Sequence, residues 1–382
     1  MQDHSTLMPP THLGRIAQAR HMALHNAASL TQGLIEPWIE ASWQRCLNQG
    51  HRPEQRLSFA AISKQGMQQA SERNRILVHA ARPVLQRLGA ALAATRYFAI
   101  LTNHNGVVVD VDGPIDRSDR RVDLITRIGT DLSEQSVGTT AIGAAVHLQQ
   151  TVWLHRGEHF FKDTAVYSCV GAPLFGPDGR CVGMLDLTGV EATERPELRH
   201  LVAHSARRIE NALVLQQPHA LSLRLNWPGL PLGDEMDGLM GVDADGFVTA
   251  ANQAARHLLP QLNAAAATDM HCRDLFALPT DQLFDAAHHH PAGLEALLWS
   301  GLRLQVQARM ASRSQGGKAQ ASKTLIHTSA PLATPRLPLK DLASNLIRKA
   351  VEDARGNVAE AALALGISRA TVYRKLGSGR PR

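Results

Sequence analysis

The sequence predicts a multidomain α+β protein that begins and ends in helices. Three observations carry this. The chain has 382 residues, room for two or three domains of about 100–200 residues each. Its apolar residues recur every three or four positions over 12–93, then switch to paired strands with turn signals from residue 94 onward. Its last 47 residues read as short helices around a tight turn and hold all the surplus positive charge.

Charge and composition narrow the classes of partner. Residues 336–382 contain ten Lys and Arg against four Asp and Glu, while residues 1–335 contain 30 of each sign, so the net charge of +6 belongs to the tail alone. A compact basic module on an otherwise neutral chain is the footprint of a polyanion binder. The 44% apolar content suits globular domains, and no apolar run approaches the roughly 18 residues of a membrane span. A cytoplasmic protein with no membrane partner is expected. Cys46, Cys169, Cys181 and Cys272 lack metal or disulfide spacing, and the run His288 to His290 has no second cluster nearby. These imply buried thiols, a polar loop, and neither a metal nor a cofactor.

The helical N-terminal segment, 1–93, contains "HLGRIAQARHMALHNA", "EPWIEASWQRCLNQG" and "RNRILVHAARPVLQRLGAALAAT". Glu36 and Pro37 mark a helix start and Gly50 a stop. Trp38, Trp43 and Leu47 form an apolar stripe that suits a core. In 94–216, "YFAILTNHNGVVVDVDG" is a hairpin, "RRVDLITRIG" a helix, and "TTAIGAAVHLQQTVWL" a helix feeding a strand. "SCVGAPLFGPDGRCVGMLDLTG" is a second hairpin with Pro177, Asp178 and Gly179 as its turn. "ERPELRHLVAHSARRIENALVLQQ" is an amphipathic helix with Leu198, Val202, Ile209, Leu213 and Leu215 on its apolar face. A smaller α+β unit is expected over 234–310, where "GLMGVDADGFVTAANQAARHLL" gives strand, Asp-Gly turn, strand and helix. Residues 311–335, rich in Ser, Gly, Ala, Lys and Pro, read as a flexible linker.

In the tail, "LKDLASNLIRKAVEDARG" is a helix with Gly356 as its stop. Asn357 caps a helix to Leu365, Gly366 permits the turn, and Ser368 caps a last helix to about Leu376. Two short helices joined at Gly-Ile-Ser have helix-turn-helix spacing. Steps of 100° turn Val372 and Leu376 inward and leave Ala370, Thr371, Tyr373 and Arg374 outward, flanked by Arg369 and Lys375. Such a face can meet base edges and phosphates of double-stranded DNA.

This tail resembles the Fis-type helix-turn-helix, through Gly356, Asn357, Ala361, Ala362, Leu365, Gly366, Ile367, Ser368, Arg369, Thr371, Tyr373, Arg374, Lys375 and Leu376. The resemblance implies that Ser368, Arg369, Thr371, Tyr373, Arg374 and Lys375 approach DNA, and that the helix over 339–350 pairs two protomers into a homodimer. Tyr373 replaces a basic residue of the founding member. Upstream, "ASWQRC", "GTDLSEQSVGTTAIG", "GEHFF" and "APLFGPDGRCVGMLDLTG" resemble acetoin-catabolism-type regulators, sigma-54 enhancer-binding activators with a GAF sensor. That implies a GAF-like α/β sensor over 94–216, and 234–310 is similar to the PAS-like unit that follows in such proteins.

Those activators normally carry a central AAA+ ATPase. The best approach here to its phosphate loop, "SRSQGGKA", has Ser312 at the first glycine and Ala319 at the hydroxyl position. The resemblance, with the phosphate loop missing, therefore implies a ligand-responsive DNA-binding transcription regulator without ATPase activity. The alternative is a modulator that pairs or competes with a related full-length activator, and RNA polymerase is a further implied partner. Strand alternation places a small-molecule effector against Phe98, Ile100, Ala172, Leu174 and Leu185. An enzyme is not expected. The enzymatic alternatives are a thiol reductase using Cys169 and Cys181, and an acid/base set of Asp131, Glu134, Glu158 and His159, residue types that in loops and helix starts usually cap.

Overall fold

The computed structural model describes residues 11–25, 33–57, 59, 62–263 and 269–311, with residue 358. The linker beyond 311 and the tail, including Ser368, Arg369, Thr371, Tyr373, Arg374 and Lys375, lie outside the described residues. The residues up to 311 form one unit built on two antiparallel sheets.

The first module opens with α1 (His12–His25), α2 (Pro37–Asn48), α3 (Lys64–Arg73) and α4 (Arg75–Leu92). Its sheet runs in the order β2-β1-β5-β4-β3, formed by β1 (Tyr97–Asn103), β2 (Val108–Asp112), β3 (Val152–His155), β4 (Tyr167–Phe175) and β5 (Cys181–Val190). Between β2 and β3 lie α5 (Arg120–Ile125), α6 (Glu134–Val137) and α7 (Ala141–Leu148), and α8 (Leu198–Leu215) follows β5. The turns follow from local chemistry. The Asn103 Oδ1 accepts from the amides of Asn105 and Val107 at 3.0 and 3.1 Å, closing the β1–β2 hairpin. At the β4–β5 turn the Gly176 amide donates to the Arg180 carbonyl at 2.8 Å, and Gly179 takes the left-handed φ of +84°.

Both faces of this sheet are buried, because its strands are nearly continuous apolar runs. Phe98 and Ile100 face one side with Ile16, Ile39, Trp43, Val137, Ile142, Phe160 and Phe161. Tyr97, Ala99 and Leu101 face the other, under Leu77, Leu85 and Leu88 of α4 and Val202, Ile209 and Leu213 of α8. Each Val, Leu, Ile or Phe among them contributes about 1.5–3 kcal/mol on burial. The lead-in helices are thus part of the core of this module: Trp43 is fully buried and its indole N–H donates to the Glu158 carbonyl at 2.8 Å. On α8, Leu215 is exposed rather than inward, and Val214 is buried in its stead with Leu239 and Ala250.

The second sheet runs β8-β7-β6-β10-β9, from β6 (Leu221–Asn226), β7 (Gly238–Val242), β8 (Val248–Ala251), β9 (Leu294–Leu297) and β10 (Arg303–Met310). It carries α9 (Gln253–Leu258), α10 (Cys272–Leu275) and α11 (Thr280–His289). The strand β6 lies upstream of the expected start at 234 and occupies the middle of the sheet, with Leu221, Leu223 and Leu225 buried. The modules are knit together. The Pro177 carbonyl, at the tip of the β4–β5 turn, accepts from the Ala251 amide at 3.1 Å and the Arg256 guanidinium at 2.9 Å. Asn252 donates to the Asn211 side chain of α8 at 2.7 Å. Among the described residues no helix is long and apolar enough to cross a membrane, and no group of three or more His, Cys, Asp or Glu could hold a metal.

Candidate ligand-binding site

Antiparallel register decides which side chains meet beneath α7. Cys169 pairs with Thr188 and Gly171 with Asp186, so Tyr167 and Cys169 of β4 share a face with Asp186 and Thr188 of β5. Gly171 lets α7 settle on that face: a Cβ there would stand 2.7 Å from the Ala141 carbonyl oxygen. The space left between sheet and helices is a cavity of about 40 Å³. At about 10–15 Å³ for one water, it has room for about three waters or a molecule of a few heavy atoms. Phe59, Ile100, Ile125, Leu132, Val137 and Ile142 supply its apolar walls.

The polar groups around this space form a chain of committed hydrogens. His159 is fully buried, and its Nδ1 stands 2.9 Å from the Arg156 carbonyl, the partner of an N–H donor. Burial pushes its pKa down to about 4, so the ring is neutral and Nε2 is an acceptor. Cys169 Sγ lies 3.5 Å from that Nε2 and donates its hydrogen there. Burial raises the Cys169 thiol well above its ordinary pKa, which keeps the proton on sulfur. The Tyr167 hydroxyl donates to the Arg121 carbonyl at 3.0 Å, the Thr164 hydroxyl to Phe161 at 3.0 Å, and the Thr140 hydroxyl to Leu132 at 3.3 Å. Thr188 donates its hydroxyl hydrogen to Asp186 Oδ2.

Asp186 is the exception to this satisfaction. It is 1% exposed, and its Oδ1 has no hydrogen-bond partner. Burial drives its pKa up to about 7, with the Thr188 hydroxyl opposing that rise. A buried carboxyl oxygen without a partner costs about 1–3 kcal/mol or more.

The sequence assigned Phe98, Ile100, Ala172, Leu174 and Leu185 to one pocket, and the sheet separates them. Ile100 lines the cavity and Phe98 packs on the same side, whereas Ala172, Leu174 and Leu185 lie on the opposite face under α4 and α8. Asp186, Thr188 and His159 were not assigned to it; the available signal was one carboxylate inside the apolar run "CVGMLDLTG".

The other candidates are structural. Glu134 receives Arg45 in two bonds of 2.7 and 2.8 Å and the Ser42 hydroxyl at 2.6 Å. Asp131 accepts from Ser133 and Ser136, and Glu158 caps the His155 amide at 2.6 Å. Cys181 pairs with Phe175 in the register, six residues along β4 from Cys169. That is about 20 Å of strand, far beyond the roughly 7 Å across which two Cα atoms can be bridged. These two thiols cannot act as a redox pair.

The loop bearing His159 is held from α1. Arg20 donates to the carbonyls of Gly157 at 2.7 Å, His159 at 2.5 Å and Phe160 at 2.9 Å, and its guanidinium lies 5.5 Å from the Trp43 ring centroid. The cavity wall therefore depends on the N-terminal helices.

Residues 16–211, which contain both sheet faces, the clamp and the cavity, match the model described as MimR, N-terminal domain. The chain belongs to the MimR N-terminal-domain family. Residues 338–377 match a second model, bacterial regulatory protein, Fis family. The chain is 30% identical over 230 residues to the acetoin catabolism regulatory protein of Cupriavidus necator, covering 58% of this chain and 34% of that protein. It is 26% identical over 222 residues to a signal-transduction and transcriptional-control protein of Clostridium beijerinckii, covering 58% and 35%. The chain thus spans about a third of the length of these curated relatives. Among solved structures it is similar to the E. coli DhaR(N)-DhaL complex, at 18% identity and a TM-score of 0.43, over 72% of this chain and 100% of that one.

Proposed function

We propose that this protein is a DNA-binding transcription regulator whose first module is a GAF-type sensor of a small effector. The observation that carries this reading is the cavity beneath α7 with the unpartnered Oδ1 of Asp186. It lies in the segment that matches a regulator's N-terminal domain, on a chain whose other end matches the Fis family. DNA is read by the helix-turn-helix of 336–382, with Ser368, Arg369, Thr371, Tyr373, Arg374 and Lys375 toward the duplex, in a homodimer. The second module acts as a PAS-like spacer between sensor and reader. ATP is not hydrolysed, since the phosphate-loop pattern fails at Ser312 and Ala319. Effector binding shifts the population of sensor conformations and so the pairing of the two readers in the cytoplasm.

The test is fluorescence anisotropy of the full chain on genomic fragments across a salt series. Binding should weaken steeply as salt rises, with a log–log slope of about −0.9 for each phosphate neutralised. A shortened chain lacking 336–382 should keep the cavity and lose the DNA. A flat salt response, or equal DNA binding by the shortened chain, would reject the reading.

A further inference from the structure

Independently of the cavity beneath α7, we propose that the cleft between α8 and the second module binds a free α-amino acid with an apolar side chain, its carboxylate on Arg207 and its ammonium on Glu210. The cleft has a volume of about 240 Å³ and is lined by Arg207 and Glu210 of α8 and by Trp227, Met236, Gln253 and Leu258 of the second module. At about 10–15 Å³ for one water, it has room for roughly sixteen waters or more, and so for a whole amino acid.

The inference comes from two opposite charges that the fold sets side by side and leaves without a match. Arg207 and Glu210 stand three positions apart on α8, which brings their Cβ atoms to about 5–6 Å on one face of the helix. Among the described residues neither bonds to the other. Arg207 is half-buried, and its fork of N–H donors finds one partner there, the Met236 sulfur, a weak acceptor. Glu210 is 4% exposed; its Oε1 accepts from the Phe175 amide at 3.0 Å, and no second donor among the described residues reaches the carboxyl. Gln253 Oε1, in the same wall, is buried without a partner. Glu235, the other carboxylate of the cleft, is already held by Arg208 at 3.1 Å.

These groups fit the two ends of one zwitterion. A guanidinium fork takes a carboxylate in two parallel bonds, and an ammonium brings several hydrogens to Glu210 and to Gln253 Oε1. Burial raises the Glu210 pKa to about 7, so near neutrality its carboxyl can also hold a proton and donate it; above that pH it only accepts. Arg207, the paired Glu235, His257 and the Cys181 thiol, which burial keeps protonated, are the other titratable groups around it. Once Glu210 is ionised, a ligand with a carboxylate alone leaves a buried anion unmatched, and a ligand with an ammonium alone leaves Arg207 unpaired. The exposed indole of Trp227, with Met236 and Leu258, gives the side chain an apolar surface beside the two charges.

The experiment is ligand-observed NMR titration of the full chain at pH 8, where Glu210 has released its proton, carried into the millimolar range. The probes are L-phenylalanine and L-leucine, with 3-phenylpropanoate, phenethylamine and glycine, which remove in turn the ammonium, the carboxylate and the side chain. L-phenylalanine should bind at least about tenfold more tightly than each of these three, the fold-change of one lost hydrogen bond to a charged group or of a lost apolar side chain. Arg207→Gln should weaken phenylalanine binding by a similar factor and leave phenethylamine unchanged, and Glu210→Gln should remove the advantage of phenylalanine over 3-phenylpropanoate. The panel on the unaltered protein stands without any variant. 3-Phenylpropanoate, phenethylamine or glycine binding as tightly as L-phenylalanine overturns the proposal, and so does phenylalanine affinity undiminished in Arg207→Gln. No binding by either L-phenylalanine or L-leucine overturns it as well.

Discussion

Replacing Asp186 by Asn should make the ligand-free protein more stable, and by an amount that grows with pH. The folded-state pKa of about 7 lies above the ordinary value of 3.8, so the folded chain keeps this proton where the unfolded chain has released it. A raised carboxyl pKa penalises folding as pH climbs from about 4 to about 7, and the penalty is constant above that. Each pH unit in this window costs about 1.36 kcal/mol, so moving from pH 5 to pH 8 crosses about two such units, or about 3 kcal/mol. Asparagine carries no such slope. Its amide hydrogens bring a cost of their own in the cavity, but that cost does not change with pH and cancels in the difference. Glu158, Glu210 and His159 also have shifted values, and they titrate alike in both proteins. The assay is urea unfolding at pH 5 and pH 8, followed by the fluorescence of the buried Trp43 and Trp153. The variant's stability relative to the parent should rise by about 3 kcal/mol between the two conditions. A difference that stays the same at both would show that Asp186 is not held against its charge.

Four further outcomes follow, three from the geometry and the last from the proposed DNA reading. Gly171→Ala should cost about 1–3 kcal/mol in chemical denaturation, because the new methyl meets the Ala141 carbonyl at 2.7 Å; unchanged stability would mean that α7 does not sit on that glycine. Arg20→Ala strips three carbonyls of their donor and should cost about 2–4 kcal/mol, with faster hydrogen exchange over 157–160 than over β7. Arg256→Ala removes bonds to Pro177 and Leu262 and should split thermal unfolding into two transitions, where a single sharp transition would deny that the turn couples the modules. Arg374→Ala should weaken operator binding by about 1–3 kcal/mol in anisotropy titrations, and unchanged affinity would remove it from the groove.

Sequence served the local features well and the non-local ones poorly. The β4–β5 turn was readable because Pro-Asp-Gly has its own backbone preference, and the apolar face of α8 was readable through Leu213 because a helix repeats its own period. The phase of the buried strands was not. In "YFAIL" every residue is apolar, so alternation cannot say whether Phe98 or Ala99 turns toward a given layer. Only the pairing of Cys169 with Thr188 puts Asp186 on the cavity side and Leu185 on the other, and that pairing depends on contacts between separate strands. The central place of β6 is hidden for a related reason: "LSLRLN" alternates cleanly, but what makes it a central strand is the pair of neighbours, β7 and β10, that hydrogen-bond to its two edges.

The β4–β5 hairpin ends in a peg set into a socket on the next module, and this limits where the chain can be cut or spliced. A fragment stopped at residue 216 would leave Val214 without Leu239 and Ala250, and the Pro177 carbonyl without both of its donors. Exchanging this part of the chain between relatives therefore requires moving residues 12–310 as one cassette, with the join placed downstream of Met310.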